Sequence, residues 1–221
     1  MKTQMFKQIP ATTVLLVVNS LIFLLMFVTY GFAYTSGEAI FAFGGIYGQL
    51  IAFSPQTQAW RLFAATFVHI GLEHFLVNMA ALYFLGQQVE AIFGWWKFLF
   101  IYLLSGLMGS VFVVYFSPDA LSAGASTALC GLTAVLVFLR FVVTNSYIEH
   151  LGKALMPFLL MNLLIGFLPG VSLAGHLGGF VGGLLCTIIF PIKGVRTKLQ
   201  ACHRFLAGVI YVALVWFLFA F

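Results

Sequence analysis

Long apolar runs, separated by short polar segments, follow one another along almost the whole chain. The first covers residues 11 to about 32 and is long enough to cross about 30 Å of hydrocarbon as a helix. A helix satisfies its own backbone hydrogen bonds, which lipid cannot do. Of the 221 residues, 63% are hydrophobic and only 7% are charged, which excludes an ordinary soluble domain. We therefore expect an all-α polytopic membrane protein.

Seven membrane-spanning helices are predicted from these runs. After the first, spans 2 to 7 are expected at about 72–92, 95–116, 124–143, 154–168, 174–192 and 205–221. The connection 34–65 is rich in aromatic residues and glycine, and we expect it to lie half-buried in the membrane interface. The predicted domains are an N-terminal segment 1–10, a six-helix core 11–192, and a basic loop with the seventh helix at 193–221.

The basic residues predict an orientation. If the N-terminus is cytoplasmic, nine of the 10 Lys and Arg residues lie at cytoplasmic ends, and only Arg61 lies outside. The C-terminus then faces outside. We recognise no organelle-type leader, which favours the plasma membrane of a bacterium. The positive charge follows this topology and indicates no nucleic-acid partner. The scattered cysteines, Cys130, Cys186 and Cys202, predict neither a metal site nor a disulfide framework, and no cofactor motif is present.

Polar side chains within the spans gather at one depth. Spans 2, 4 and 6 begin on the same side of the membrane, and His74, Ser126 and His176 lie near their starts. Asn78 follows His74 by four residues and so shares its helix face. Polar groups inside a bilayer are costly and by default mark function. The four side chains are therefore predicted to form one site just below the outer surface.

The chemistry of these groups suggests a division of roles. Ser126 supplies a hydroxyl, a histidine supplies a general base, and the polar pair on one face supplies hydrogen bonds to an oxyanion. None of these spans contains Asp, so a dyad is expected instead of a triad. The alternative for Ser126 is helix packing, because small residues and hydroxyls are common where membrane helices meet.

Small residues favour close packing of span 6 against span 4. Span 6 contains two overlapping patterns, Gly178-xxx-Gly182 and Gly179-xxx-Gly183. Such faces let two helix backbones approach closely. This approach is expected to bring the hydroxyl oxygen of Ser126 within hydrogen-bond reach of an imidazole.

At this point the sequence resembles the rhomboid family of intramembrane serine proteases. The likeness covers about 60–186 and implies a six-helix core followed by one C-terminal transmembrane helix. Glu90, at the far end of span 2, is expected to be a structural hydrogen-bond or ion-pair partner. Five elements carry the likeness in the family's order, namely Trp60-Arg61, His74-Phe75-Leu76-Val77-Asn78, Glu90 with Gly94, Gly124-Ala125-Ser126, and His176-Leu177-Gly178-Gly179 with Gly183.

The resemblance implies a catalytic role for each polar residue. Ser126 would be the nucleophile and His176 the general base. His74, Asn78 and the backbone N–H of Ser126 would form the oxyanion hole. Span 5 and the loop at about 167–174 would be the mobile side by which a substrate enters.

The resemblance also implies structural roles, and one position departs from the family pattern. Trp60 and Arg61 would anchor the first loop in the interface, while Gly179 and Gly183 would pack span 6 on span 4. The family usually has Gly directly after the serine, where this chain has Thr127. A β-branched residue is tolerated in an ordinary helix. We therefore expect Thr127 to cost little activity.

The sequence supports one function and keeps an alternative. The expected function is that of an intramembrane serine endopeptidase that cleaves single-span membrane proteins near the outer face, at helix-destabilising segments with small residues. The alternative, which Thr127 keeps open, is a catalytically weak or inactive rhomboid-like protein that binds transmembrane clients. A transporter is disfavoured because the inner half of the bundle is apolar. Expected partners are transmembrane substrates and the lipid bilayer, without metal or cofactor, and the oligomeric state stays open.

Overall fold

The structure, a computed structural model, describes residues 9–192, 195 and 197–220, which form a bundle of seven long helices. Four short helices follow the first long one. In chain order the helices are α1 Pro10–Tyr30, α2 Gly37–Ala42, α3 Gly48–Phe53, α4 Pro55–Gln58, α5 Arg61–Ala64, α6 Leu72–Phe93, α7 Trp95–Phe116, α8 Ser126–Val142, α9 Ser146–Leu164, α10 Leu173–Ile189 and α11 Ala201–Ala220. The two strands are β1 Ile46–Tyr47 and β2 Leu121–Ser122, and single 3₁₀ turns occupy Gly31–Ala33, Ala65–Phe67 and Ile165–Phe167.

The long helices confirm the all-α polytopic fold class. Helices α1, α7, α9 and α11 are each long and apolar enough to cross a membrane, and α5 with α6 adds a fifth if the bent pair is one span. Helices α8 and α10 have only 17 residues each. At about 1.5 Å per residue they reach about 25 Å, less than the hydrocarbon thickness. Both lie largely inside the bundle, where neighbouring helices surround them.

The start of α9 corrects the sequence prediction. The predicted spans end at 143 and resume at 154, which leaves 144–153 as a polar connecting loop, but the helix begins at Ser146. The side chain of Asn145 accepts a hydrogen bond from the N–H of Ile148 at 3.1 Å, which caps the first turn. Glu149 and Lys153 form an exposed ion pair four residues apart. Polar composition here reflects a capped helix end and not a loop. Helix α11 likewise begins earlier than expected, at Ala201.

Some of the predicted features lie outside the described residues. They are residues 1–8 of the N-terminal segment, with Lys2 and Lys7, and two of the basic positions of the last loop, Lys193 and Arg196.

The connection between α1 and α6 is folded and tied to the bundle. Strand β1 pairs antiparallel with β2, with Ile46 opposite Ser122, a ladder that the sequence did not predict. The guanidinium of Arg61 donates to the carbonyl oxygens of Phe41 and Gly45 and lies over the Phe41 ring, 3.7 Å from its centroid. One buried cation thus joins two parts of this connection, whose helices α3 and α5 pack against α7.

Helix α10 meets α8 at backbone distance. A Cβ built on Gly179 would lie 2.0 Å from the carbonyl oxygen of Thr127. One built on Gly183 would lie 2.1 Å from the carbonyl oxygen of Gly131. No side chain can occupy either position without separating the helices, so glycine is required by space alone. We call these four residues the α8–α10 seam.

The other glycine row of α10 faces α7. A Cβ on Gly178 would lie 2.7 Å from the carbonyl oxygen of Met108, and one on Gly182 would lie 3.0 Å from Cα of Ser105. Helix α10 is therefore held in the cleft between α7 and α8. Close backbone approach of this kind replaces the hydrophobic driving force that lipid does not supply.

Glu90 joins the far end of α6 to the beginning of α1. Its Oε1 accepts from the N–H of Ala11 at 3.0 Å, and its Oε2 accepts from the N–H and the hydroxyl of Thr12 at 2.8 and 2.6 Å. The first N–H groups of a helix have no partners within it, and a carboxylate there also complements the helix dipole. Glu90 is thus a cap contributed by a distant helix, and its contacts with the described part of α1 are hydrogen bonds.

Candidate active site

A cavity of about 430 Å³ lies at the end of the bundle where α6, α8 and α10 begin. Its wall includes the four side chains singled out from the sequence, His74, Asn78, Ser126 and His176. They come from three helices that enter the bundle side by side. The structure therefore brings the predicted polar residues together at one end of the bundle, and we call this the cavity end.

Gly124 shapes the approach to Ser126. Its φ is +136°, a conformation that L side chains rarely adopt. A Cβ built there would lie 2.6 Å from Cε1 and 2.9 Å from Nε2 of His74, and 3.7 Å from Oγ of Ser126. The His74 ring nitrogen and the Ser126 hydroxyl thus face the same small space, which is open only because residue 124 is glycine.

Ser126 is the first residue of α8, and its N–H belongs to the turn in which N–H groups lack partners within the helix. That N–H and the hydroxyl both lie at the cavity end. No hydrogen bond joins Ser126 Oγ to His176 within the described residues, although both side chains line the cavity. The expected contact is therefore not formed here. Catalytic hydrogen bonds are often long in unliganded proteins and tighten when substrate binds.

The orientation of His176 is set by α9, and sequence reasoning missed this contact. Nδ1 of His176 lies 2.7 Å from the carbonyl oxygen of Asn162. A carbonyl can only accept, so Nδ1 carries the proton of the neutral ring and Nε2 keeps a free lone pair. Asn162 lies in the last turns of α9, where carbonyl groups lack partners within the helix. A main-chain acceptor leaves no signature in the residue type.

His74 has the opposite arrangement. The backbone N–H of Ile70 donates to Nδ1 of His74 at 3.2 Å, so Nδ1 is the acceptor and Nε2 carries the proton. Asn78 donates one N–H of its amide to the carbonyl oxygen of His74 at 2.7 Å. Its second N–H remains for the cavity that it lines. Both side chains therefore have an N–H available at the cavity.

A second histidine supports the ring of His74 from behind. His69 lies in the turn before α6 and is completely buried, with its ring centroid 5.4 Å from that of His74 and 5.5 Å from that of Phe75. Burial, and to a smaller extent the neighbouring His74, lowers the pKa of His69 to about 3. The His69 ring is therefore neutral near pH 7 and acts as a packing residue.

The cavity opens sideways between α6 and α9. Val77 on α6 and Met161 on α9 line the cavity, yet they are 69% and 49% exposed on the flank of the protein. At the opposite end of α9 the hydroxyl of Tyr147 donates to Oε1 of Gln88 at 2.6 Å. The two helices are thus joined away from the cavity and separated beside it.

The described residues contain no cluster of three or more His, Cys, Asp or Glu side chains that could hold a metal ion. Cys130 and Cys186 are buried and Cys202 is exposed, all as free thiols.

The sequence of this chain matches a known family. The family model for the rhomboid domain matches residues 56–193. The chain is 33% identical to rhomboid protease GluP of Bacillus subtilis (strain 168) over 183 residues, which are 81% of this chain and 34% of the relative. It is 37% identical to RHOMBOID-like protein 7 of Arabidopsis thaliana over 138 residues, 61% of this chain and 44% of the relative.

A third relative is named for the absence of activity. Inactive RHOMBOID-like protein 8 of Arabidopsis thaliana is 30% identical over 155 residues, 69% of this chain and 44% of the relative. The chain thus spans between about a third and under half of the length of these relatives, and each of the three names contains the word rhomboid. Because the family model covers more than half of the chain, this multi-pass helical protein belongs to the rhomboid family.

Proposed function

We propose that this rhomboid protein is an intramembrane serine endopeptidase with Ser126 as nucleophile and His176 as general base. The observation that carries the proposal is the pair of opposite tautomers at the cavity. His176 presents an unprotonated Nε2, as a general base requires, because its Nδ1–H is bound to Asn162. His74 presents a protonated Nε2, as an oxyanion donor requires, because its Nδ1 is bound to Ile70.

The reaction follows from these atoms. Oγ of Ser126 attacks the carbonyl carbon of the scissile bond while Nε2 of His176 takes the hydroxyl proton. The developing oxyanion accepts from Nε2–H of His74, the second amide N–H of Asn78 and the N–H of Ser126. Each such donor contributes on the order of 10²-fold to 10³-fold in rate. Protonated His176 then gives its proton to the leaving amine, and a water molecule hydrolyses the acyl-enzyme with His176 again as base.

Asn162 gives the dyad its third partner. The carbonyl oxygen of Asn162 holds the imidazole in one tautomer and would stabilise the imidazolium that forms during attack, a role that an Asp carboxylate performs in a triad. A neutral carbonyl stabilises the positive ring less than a carboxylate does, but it carries no charge whose burial in the membrane would be costly.

The proposed orientation places the cavity near the outer face. Lys97 near the start of α7 and Arg140 near the end of α8 lie at the end of the bundle opposite the cavity. Cytoplasmic ends of membrane helices are enriched in such residues. In this proposal the N-terminus is cytoplasmic and the C-terminus lies outside, in the plasma membrane of a bacterium.

The proposed substrates are single-span membrane proteins that approach through the lateral opening between α6 and α9. A peptide bond inside a helix is shielded from attack, so the cleaved segment must unwind. Gly and Ala near the outer boundary favour unwinding and fit a cavity that is only about 430 Å³ in volume.

A second candidate is a client-binding protein without activity. Two observations favour it: Ser126 Oγ and His176 are not hydrogen-bonded to each other among the described residues, and one relative is named inactive. This candidate predicts that Ser126 reacts with no serine-directed reagent.

The test compares purified wild type with Ser126→Ala and His176→Ala in liposomes. The assay measures cleavage of a single-span substrate with Gly or Ala near its outer boundary, and labelling of the enzyme by a fluorophosphonate. Ser20→Ala is the matched control, because Ser20 is exposed on α1 and its hydroxyl donates to the carbonyl oxygen of Leu16. Wild type and the control should cut and be labelled, while the two site variants should not. Wild type that neither cuts nor reacts would favour the client-binding candidate.

A further inference from the structure

Thr127, the residue that follows the proposed nucleophile, is embedded among glycines of two other helices. A Cβ built on Gly109 of α7 would lie 2.7 Å from Cβ of Thr127. One built on Gly175 of α10 would lie 2.8 Å from Cγ2 of Thr127. Real Cβ atoms do not approach other carbons so closely. The side chain of Thr127 therefore fills space that residues 109 and 175 would need if they had side chains.

The contact between Thr127 and Gly175 is one peptide bond away from both proposed catalytic residues. Thr127 follows Ser126 on α8, and Gly175 precedes His176 on α10. Any change in the distance between Thr127 and Gly175 is therefore passed directly to the distance between the hydroxyl and the imidazole. A displacement of about 1 Å in a reacting group can lower a rate on the order of 10²-fold.

The fit at this contact rests on shape. The hydroxyl of Thr127 forms no hydrogen bond with any residue that the structure describes. Cγ2 is the atom that meets Gly175, and the nearest other neighbours of that glycine are Oγ of Ser172 and Cγ2 of Val113, at 3.2 and 3.3 Å from an added Cβ. Thr127 is half-buried and also lines the cavity, and its hydroxyl has no hydrogen-bonding role among the described residues that would explain its position between α7 and α10.

We propose that Thr127 and Gly175 are a matched pair that sets the distance between Ser126 and His176, with Thr127 as a positioning residue. The inference rests on the proposed function. In this inference the methyl group of Thr127 occupies the space that a side chain at residue 175 would need. One methyl group at this junction holds α8 and α10 in register; two would force them apart, and none would leave them loose.

A nearby glycine provides a contrast that the pair can be tested against. At Gly179 an added Cβ would meet the carbonyl oxygen of Thr127 at 2.0 Å and its carbonyl carbon at 2.8 Å. These are backbone atoms, which no substitution at residue 127 removes. A substitution at Gly175 is therefore expected to be rescued by trimming Thr127, while a substitution at Gly179 is not.

The experiment moves one methyl group across the contact. Gly175→Ala alone should lower kcat for substrate cleavage on the order of 10²-fold with KM little changed. It should also shift the pH profile of fluorophosphonate labelling at Ser126, which a purely structural contact would leave unchanged. Adding Thr127→Ala to Gly175→Ala removes the clashing Cγ2 and should restore kcat to within about threefold of wild type, and with it the original pH profile.

Two further variants complete the comparison. Gly179→Ala combined with Thr127→Ala should stay as inactive as Gly179→Ala alone. Gly208→Ala on α11, where no atom lies within 4 Å of the added Cβ, should behave as wild type. Thermal unfolding in detergent reports the fold of each variant. If Gly175→Ala fails to fold, the double variant decides, because a folded double variant with wild-type activity supports the pair and a folded inactive one overturns it.

The outcomes separate this inference from the proposed function. Wild type that neither cleaves nor reacts with the fluorophosphonate removes the proposed function and the positioning role with it. Active wild type, together with Gly175→Ala of equal kcat and pH profile, overturns the matched pair alone. Failure of Thr127→Ala to rescue Gly175→Ala overturns it as well.

Discussion

The α8–α10 seam and the flank formed by α9 are held in opposite ways. At the seam two helices touch through backbone atoms, with glycines where any side chain would collide. On the flank, 17% of the most apolar stretch of α9 is buried inside the protein, compared with 61% for α7. His176 belongs to both regions, because its helix is locked at the seam while Nδ1 of its ring is bound to α9.

For the proposed protease, this difference separates two requirements. The nucleophile and base must stay in register to within a fraction of an ångström, which close-packed backbones provide. A transmembrane substrate must also reach them, which needs a wall that can move. In this proposal the seam meets the first requirement by fixing the backbones of α8 and α10, and α9 meets the second, so that the flank could respond to substrate without moving Ser126. Four substitutions test this division, in order of decreasing effect.

Gly183→Ala should break the seam. The added Cβ would lie 2.1 Å from the carbonyl oxygen of Gly131, and only separation of the helices can relieve that contact. Overpacking of this kind costs about 3 kcal/mol of stability. We expect loss of cleavage and a clear fall in Tm in detergent. Gly208→Ala adds the same methyl group where nothing lies within 4 Å and should leave both unchanged. An unchanged Tm for Gly183→Ala would mean that α8 and α10 can separate at the seam without loss of stability.

Gly124→Ala should remove activity while keeping most of the stability. The new Cβ would displace the His74 ring, whose Cε1 lies 2.6 Å away, and with it one of the proposed oxyanion donors. Cleavage should fall on the order of 10²-fold to 10³-fold. Gly94→Ala is the matched control for backbone strain, because Gly94 has φ +83° and no neighbour within 4 Å of an added Cβ. Equal activity losses in the two variants would assign the effect to strain and not to His74.

The polar site was predictable because membrane burial makes such residues conspicuous. His74, Ser126 and His176 stand out in apolar runs, and alternating helix direction alone puts their ends on one side. The glycine repeat of α10 likewise indicates a close contact between helices, because glycine in a spanning helix is favoured where two backbones approach each other. In each case the residue type itself carries the information.

The features that escaped prediction depend on main-chain atoms or on long-range contacts. The carbonyl of Asn162 that orients His176 would exist with any residue at position 162. The β1–β2 ladder consists of two residues per strand and has no periodicity to detect. The early start of α9 was hidden because the capping residue Asn145 and the ion pair beyond it are polar, as a loop would be. The size match at Thr127 emerges only when Gly109 and Gly175 are seen beside it.

Pro157→Ala should stiffen the flank. Proline in the middle of α9 has no N–H to donate to the preceding turn and favours bending there. Alanine restores that hydrogen bond, so the helix should yield less readily to a substrate. We expect cleavage of a transmembrane substrate to fall about threefold, while labelling of Ser126 by a small fluorophosphonate stays unchanged. An equal fall in both rates would show that Pro157 affects the dyad and not entry.

Tyr147→Phe should loosen the other end of the same helix and act in the opposite direction. It deletes the 2.6 Å hydrogen bond to Gln88 that joins α9 to α6 away from the cavity. An exposed bond of this kind contributes about 0.5 kcal/mol, which changes the ratio of open to closed flank by about twofold. Cleavage should therefore rise by up to about twofold. Tyr83→Phe is the matched control, because Tyr83 is also exposed on α6 and its hydroxyl forms no hydrogen bond with the described residues. If both variants cleave at the wild-type rate, the tie between Tyr147 and Gln88 does not restrain the flank, and the resistance to opening lies beside the cavity, where His176 holds the carbonyl of Asn162.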